Sequence, residues 1–327
     1  MKRKWIRWLV AAGLLGGLYV GLAAWLLYRG PLEPRTGFST GSANAAWLAH
    51  RWFDDHDRKP IEPGEPARLA ARCRDAGIRD LFLHVGPLDS QGGIPPWEPE
   101  RWRPVRDELR RLLPGVRLLA WLGAPNADFE GVAEDTLDLT REGARNGVVM
   151  TAVDLLGEGF DGIHYDIEPI RNGDDHFLQL LEATRARVEV LSVATPHMRP
   201  TLVPPVVPFE RQWTADYYRE VASRCDQVVY MGYDTGQPDE ERYSRWIRWQ
   251  ARAIGPLVPG QFVVGVPTYD EEQTLWHNPR AETLSAAFRG LTAAGAPDSV
   301  AVYAEWTTTA PEWEELSRWR SGGSRSH

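Results

Sequence analysis

From about residue 45 to residue 320, apolar runs of six to eight residues alternate with longer stretches whose apolar positions recur every three or four residues. The short runs predict strands at 46–53, 80–86, 117–123, 162–167, 190–195, 227–233, 262–267 and 300–306. The longer stretches predict helices at 67–76, 104–113, 141–156, 176–188, 215–224, 242–254, 283–294 and 312–318. Strands that alternate one-for-one with helices lie parallel and are joined by right-handed crossovers. Eight such units in roughly 275 residues match an α/β fold of the eight-stranded parallel (β/α) TIM-barrel type. An open doubly wound sheet would want a glycine-rich phosphate turn after its first strand. Asp54-Asp55-His56-Asp57 stands there instead.

The flanks divide the rest. Lys2, Arg3, Lys4 and Arg7 lie in a basic segment, 1–8, ahead of an uncharged run at 9–28. Twenty helical residues span about 30 Å, enough to cross a bilayer. Leu26-Leu27-Tyr28-Arg29 is too bulky for a signal-peptidase site, so the run reads as a retained transmembrane signal anchor. The basic end stays cytoplasmic, which puts the later residues on the far side of the membrane. Trp5, Trp8 and Trp25 suit the interfacial belts, and Gly13, Gly17 and Gly21 are spaced for helix dimerisation or simply scattered. Residues 29–44 read as a linker, 45–320 as the barrel and 321–327 as a flexible tail.

Composition narrows the function classes. A net charge of −8 without a long basic stripe argues against nucleic acid as a partner. The 15 tryptophans fit sugar stacking, core packing and membrane interfaces alike. Two cysteines, Cys73 and Cys225, form no metal-ligand or disulfide framework and are expected as buried free thiols. Neither a metal nor an organic cofactor is implied.

The chemistry concentrates in Asp161-Gly162-Ile163-His164-Tyr165-Asp166-Ile167-Glu168-Pro169. On a strand, side chains alternate, so Asp166 and Glu168 share a face with His164 below them. Adjacent carboxylates repel, which raises one pKa and lets that group hold a proton near neutrality. A bland alternative is a strand-end pair that caps a helix or binds an arginine. Met231-Gly232-Tyr233-Asp234, Tyr269-Asp270-Glu271-Glu272 and Tyr303-Ala304-Glu305-Trp306 end strands six to eight. Barrel active sites are built at that end, so polar groups and aromatics converge as a carbohydrate site requires. His50 and His84 read first as satisfied core histidines.

The strand-four run resembles the Asp-Gly-x-Asp-x-Asp-x-Glu signature of the family 18 glycoside hydrolases, the chitinase-like barrels. Met231-Gly232-Tyr233-Asp234 is similar to that family's strand-six motif, and Trp306 to the tryptophan that ends its strand eight. The resemblance implies that Glu168 is the general acid and base. It implies that Asp166 holds the substrate's acetamido N–H and that Tyr233 holds its carbonyl oxygen. Trp306 would stack on the sugar, with Asp234, Met231, His164 and Trp52 as further substrate-binding candidates. Asp161 would be structural. The expected partner is a β-linked N-acetylhexosamine glycan such as peptidoglycan, a chitin-like oligomer or an exopolysaccharide, bound in a shallow groove.

The chain departs from that pattern in two places. His164 replaces the middle aspartate, where an imidazole hydrogen-bonded to Asp166 is expected to alter proton handling. Strand three reads Leu119-Ala120-Trp121-Leu122-Gly123-Ala124 in place of Ser-x-Gly-Gly. Two other readings stay open. One is a retaining glycosidase with Asp270 or Glu271 as nucleophile, which needs the two carboxyls about 5–5.5 Å apart. The other is a non-catalytic chitinase-like protein that only binds glycans.

Overall fold

A computed structural model describes residues 43–54, 60–127, 136–200, 211–270, 276–295 and 299–323, together with residues 13 and 16–18. Its eight strands are β1 (Asn44–Leu48), β2 (Ile78–His84), β3 (Arg117–Pro125), β4 (Gly162–Glu168), β5 (Leu191–Thr195), β6 (Gln227–Met231), β7 (Gln261–Pro267) and β8 (Val300–Tyr303). All neighbours pair parallel, and β8 returns to β1 to close the barrel in sequence order. The helices are α1 (Glu65–Ala76), α2 (Pro99–Leu112), α3 (Glu142–Gly157), α4 (Asp175–Arg185), α5 (Ala215–Ala222), α6 (Glu240–Ile254), α7 (Leu284–Ala294) and α8 (Ala310–Gly323).

Strand alternation sorts the core into two bodies. Residues such as Leu81, Leu83, Leu118, Ile163, Val228 and Val264 face outward into the apolar shell beneath the helices. Ala45, Trp47, Phe82, Leu119, Trp121, Val229, Val263 and Ala301 fill the barrel interior. Both strand faces are therefore buried, which explains the near-continuous apolar runs in the sequence. Helix starts are fixed by side-chain caps: Asp174 accepts from the His176 and Phe177 N–H groups, and Thr214, Asp239 and Thr283 do the same for α5, α6 and α7.

The structure revises several expected boundaries. β1 begins at Asn44, inside the expected linker, because the Asn44 side chain donates to the Ala76 carbonyl and accepts the Val300 N–H. It ends at Leu48, and Trp52 belongs to a short 3-10 turn beyond it. β8 stops at Tyr303 because Ala304 enters a turn, its carbonyl accepting the Thr307 and Thr308 N–H groups. The last helix continues to Gly323, three residues into the expected tail. Apart from residues 13 and 16–18, the expected membrane segment 9–28 lies outside the described residues. Among the described residues, no helix is long and apolar enough to cross a membrane.

Candidate active site

The site is assembled from β4 outward. His164, Asp166 and Glu168 share the interior face of β4, opposite Trp121, Gly123 and Pro125 of β3 in register. Trp121 leans up one step and donates its indole N–H to Asp166 Oδ2 at 2.9 Å. Gly123 makes room for that bond: a Cβ there would sit 3.4 Å from the indole nitrogen. Asp166 Oδ1 is buried and has no hydrogen-bond partner among the described residues. Glu168 emerges at the mouth.

One proton is shared unequally by this pair. Desolvation pushes the Asp166 carboxyl up to about 6, against the Trp121 bond that favours its charge. Glu168 opens to solvent, but the recess surrounds it with protein on its other sides. Desolvation, then the charges of Asp166 and Asp234, push it up to about 8, with Arg211 opposing. Glu168 is thus the proton holder and Asp166 the anion.

Three tyrosines close the floor. Tyr233 stacks on Tyr303 at 5.1 Å and 21°, and Tyr269 meets both edge-on. Desolvation, then the Asp166 charge, hold the Tyr233 and Tyr303 phenols well above their usual range, so both are hydrogen-bond donors at neutral pH. Gly232 is sterically required for this placement. A Cβ at 232 would lie 2.6 Å from the Gly265 carbonyl, and Gly265 in turn leaves room for Tyr233 and Trp47. Asp234 then takes the left-handed conformation, φ 53°, and accepts the Tyr269 hydroxyl at 2.8 Å. Met231 ends β6 on the interior face with Val229 and is buried.

His164 does not do what the sequence suggested. It is fully buried and stacked on Phe82 at 3.9 Å. Its Nε2 accepts the Trp47 indole N–H at 3.2 Å, which leaves Nδ1 protonated and donating to Ser192 Oγ at 2.8 Å. Ser192 then donates to Gln227 Oε1, and Gln227 to Asp80, which Arg117 also binds. This polar column leads down the barrel, away from Asp166. Burial lowers the imidazole to about 3, so it stays neutral. The expectations that His164 bonds Asp166 and that it touches substrate are both corrected.

Trp52 is likewise corrected as a substrate contact: it is fully buried, with its indole N–H donating to Glu305 at 3.2 Å. Trp306 is 45% exposed in the turn past β8, and the aromatic that ends that strand is Tyr303. Asp161 lies at the opposite end of β4, where it accepts the Leu118 N–H and pairs with Arg110. Asp270 is exposed beyond β7, and Glu271 lies outside the described residues. Neither Cys73 nor Cys225 is bonded to the other. Cys73 is buried and Cys225 half-buried, and desolvation pushes both thiols up to about 12.

Sequence reasoning passed over several residues here. Trp121 sat inside an apolar strand run, and its signal was position: it precedes the site by one register step. Arg211 and Trp213 line a cavity of about 220 Å³ beside Glu168, together with Ile170, Ala194 and Pro196. His277 and Glu282 form a buried pair behind Asp234, at 2.9 Å. These last two and Asp234 bring possible metal-ligand atoms within 4.8 Å of one another. Both imidazole nitrogens and both Glu282 oxygens are already committed to hydrogen bonds, however, so the cluster reads as an ion pair.

No family model and no curated protein matches this sequence. Solved structures do match. The C-terminal domain of a predicted chitinase from Desulfitobacterium hafniense aligns at 12% identity and a TM-score of 0.61, over 88% of this chain and 100% of that one. The spore cortex-lytic enzyme SleL of Bacillus megaterium aligns at 12% and 0.56, over 86% and 75%. A fungal endo-beta-N-acetylglucosaminidase of glycosyl hydrolase family 18 aligns at 13% and 0.54, over 85% and 96%. At such identities the likeness is one of fold. The chain has the eight-stranded parallel barrel fold of these structures.

Proposed function

We propose that the protein is a retaining glycoside hydrolase acting on a β-linked N-acetylhexosamine glycan by substrate-assisted catalysis. The observation that carries this reading is the divided Asp166 carboxylate. One oxygen is fixed by Trp121, and the other is buried and without a partner among the described residues, one alternation below a raised Glu168. A buried acceptor without a donor is costly, and a substrate acetamido N–H is a donor that would satisfy it.

Glu168 gives its proton to the glycosidic oxygen while the acetamido oxygen attacks the anomeric carbon and the aglycone leaves. Asp166 holds the N–H and balances the positive charge of the oxazolinium. The phenols of Tyr233 and Tyr303 are the donors at the mouth that can steady the acetamido oxygen and ring substituents. Water then attacks the anomeric carbon, Glu168 takes its proton, and the configuration is retained. The carboxylate charges that act on Glu168 are those of Asp166 and Asp234. That favours this route over a nucleophile at Asp270.

Anchoring through residues 9–28 with the barrel outside the cytoplasm is part of the same reading. Its support is the basic flank and the uncharged run. Peptidoglycan, a chitin-like polymer or an exopolysaccharide would then be within reach.

The test is release of a chromophore from a chitooligosaccharide reporter by wild type and by Glu168→Gln, with and without N-acetylglucosamine-thiazoline. Turnover that Glu168→Gln abolishes and the thiazoline blocks establishes the mechanism. Binding of the oligosaccharide without turnover makes the protein a glycan-binding barrel.

A further inference from the structure

Behind Asp234 lies a charge arrangement that the proposed chemistry has not used. Among the described residues, Glu282 bonds to donors. Oε2 accepts the Asp234 N–H at 2.9 Å, and Oε1 accepts the Thr235 N–H at 2.8 Å and its hydroxyl at 2.7 Å. Glu282 therefore serves as an acceptor at both oxygens and is pinned to the turn that follows β6. His277 lies against it, with Nδ1 at 2.9 Å from Oε2 and Nε2 at 3.0 Å from the Tyr269 carbonyl oxygen. Neither oxygen can donate, so both ring nitrogens carry hydrogen and the ring is an imidazolium. The ring also stacks on Tyr269 at 4.0 Å, and its Nδ1 lies 3.7 Å from Asp234 Oδ1.

We propose that His277 is a positioning residue: bridging Glu282 and the Tyr269 carbonyl, it fixes the Asp234 carboxylate beside Glu168. The pieces lock in sequence. Glu282 holds the backbone of Asp234 in its left-handed turn. His277 holds Glu282 from behind and sets the Tyr269 ring by stacking and by its carbonyl. The Tyr269 hydroxyl then fixes the Asp234 carboxylate at 2.8 Å. A carboxylate held there bears on Glu168, and small misplacements of charge at a reacting centre are expensive in rate.

Among the described residues, the charged and titratable groups acting on His277 include Glu282 ahead of α7, Asp234 after β6 and Tyr269 after β7. Burial works against the charged ring, but the Glu282 bond and charge, the Tyr269 carbonyl and Asp234 together raise it above its ordinary value. His197, after β5, feels the same two carboxylates. Desolvation lowers it, and its ring is bonded to the Tyr230 hydroxyl at 3.0 Å.

This role rests on the hydrolase reading, so the test has arms with and without substrate. In the full-length chain, carboxyl carbon NMR follows the Glu168 titration in wild type, His277→Ala and Tyr269→Phe. Loss of a nearby cation alone would raise the Glu168 pKa. Release of Asp234 from its place would lower it toward the ordinary carboxylate range. A fall in both variants is expected. No change, or a rise, overturns the proposal. Nitrogen NMR of wild type at neutral pH should show both His277 nitrogens protonated, and a singly protonated ring overturns it too. On a chitooligosaccharide reporter, kcat should drop about tenfold in each variant with little change in KM, and His277→Gln, which keeps N–H donors, should recover part of the loss. A KM effect with kcat intact also counts against positioning. If His277→Ala does not fold, Tyr269→Phe, which removes one hydroxyl, carries the test. A wild type that hydrolyses nothing removes the hydrolase reading and leaves the NMR arms to decide the positioning.

Discussion

Trp121 and Asp166 are joined across β3 and β4 by a 2.9 Å hydrogen bond in which the indole N–H donates to Oδ2. Trp121 is 8% exposed and fills the top of the barrel interior, so its orientation is set by packing. The bond favours the charged form of Asp166 and works against the desolvation that raises it. A packed tryptophan on the neighbouring strand thus fixes one oxygen of Asp166.

Trp121→Phe keeps the packing and removes the donor. A hydrogen bond to a charged group contributes about 1.5–3 kcal/mol, so kcat should fall roughly tenfold to a hundredfold. Without the bond Asp166 protonates more readily, and the acidic limb of the rate profile should move to higher pH. Steady-state kinetics from pH 4 to pH 9 on the chitooligosaccharide reporter checks both. An unmoved acidic limb would mean that the bond does not govern Asp166.

The raised pair also sets the pH window. The proposed catalysis needs Asp166 ionised and Glu168 protonated, so activity should rise through about 6 and decline through about 8. Stability follows the same shifts with its own sign. Folding raises both carboxyls, so their contribution is fully present below the ordinary carboxylate pKa and is lost as pH rises through the folded values. Glu168→Gln should therefore raise the thermal midpoint relative to wild type at pH 9 and change it less at pH 5. Asp166→Asn removes the charge that raises Glu168, and the Glu168 titration should move to lower pH. Thermal melts at the two pH values and carboxyl NMR of the variant are the measurements.

His164 separates structure from proton transfer. Its ring is neutral, stacked on Phe82 and bonded to Trp47 and Ser192. His164→Asn would strand the Trp47 indole N–H or the Ser192 hydroxyl and open space against Phe82. The cost should be about 2–4 kcal/mol by urea denaturation. A group lowered to about 3 does not titrate in the working range, so the shape of the pH–rate profile should be unchanged in whatever fraction stays folded. A displaced limb in His164→Asn would show that the ring does communicate with Asp166.

The barrel was legible because alternation of strand and helix repeats eight times, and tertiary closure agrees with each local preference. Asp166 and Glu168 were legible because period two places them on one face. The partners were not. The same alternation put Trp121 among apolar neighbours, and no local pattern says that its indole reaches one register step up to Asp166. His277 and Glu282 come from the connection between β7 and α7 and meet Asp234 across 43 and 48 residues of chain, contacts that only folding creates. Strand ends failed for a related reason. The run 300–306 is apolar enough to continue, but the Ala304 carbonyl finds its donors in Thr307 and Thr308 and the chain turns.

That turn decides which aromatic floors the site. Tyr303 ends β8 inside the ring of Trp47, Trp121, Tyr233 and Tyr269, with centroids 5.1–6.2 Å away. Trp306 is outside it, edge-on to Tyr303 at 5.9 Å. A sugar lying over the carboxylates would meet Tyr303 below and Trp306 at the side. Tyr303→Ala should then lower kcat about a hundredfold, because it removes a donor and opens the aromatic floor beside Asp166 and Glu168, and it should lower the melting temperature through the cavity it leaves. Trp306→Ala should leave the melting temperature within a degree or two, since surface changes rarely exceed about 0.5 kcal/mol. Its effect should be in KM, increasing as stacking contributes about 0.5–1.5 kcal/mol. Kinetics of both variants on di- and trisaccharide reporters separates the two roles. If Trp306→Ala instead lowers kcat and Tyr303→Ala raises only KM, the floor belongs to Trp306 and the sugar approaches from the β8–α8 side.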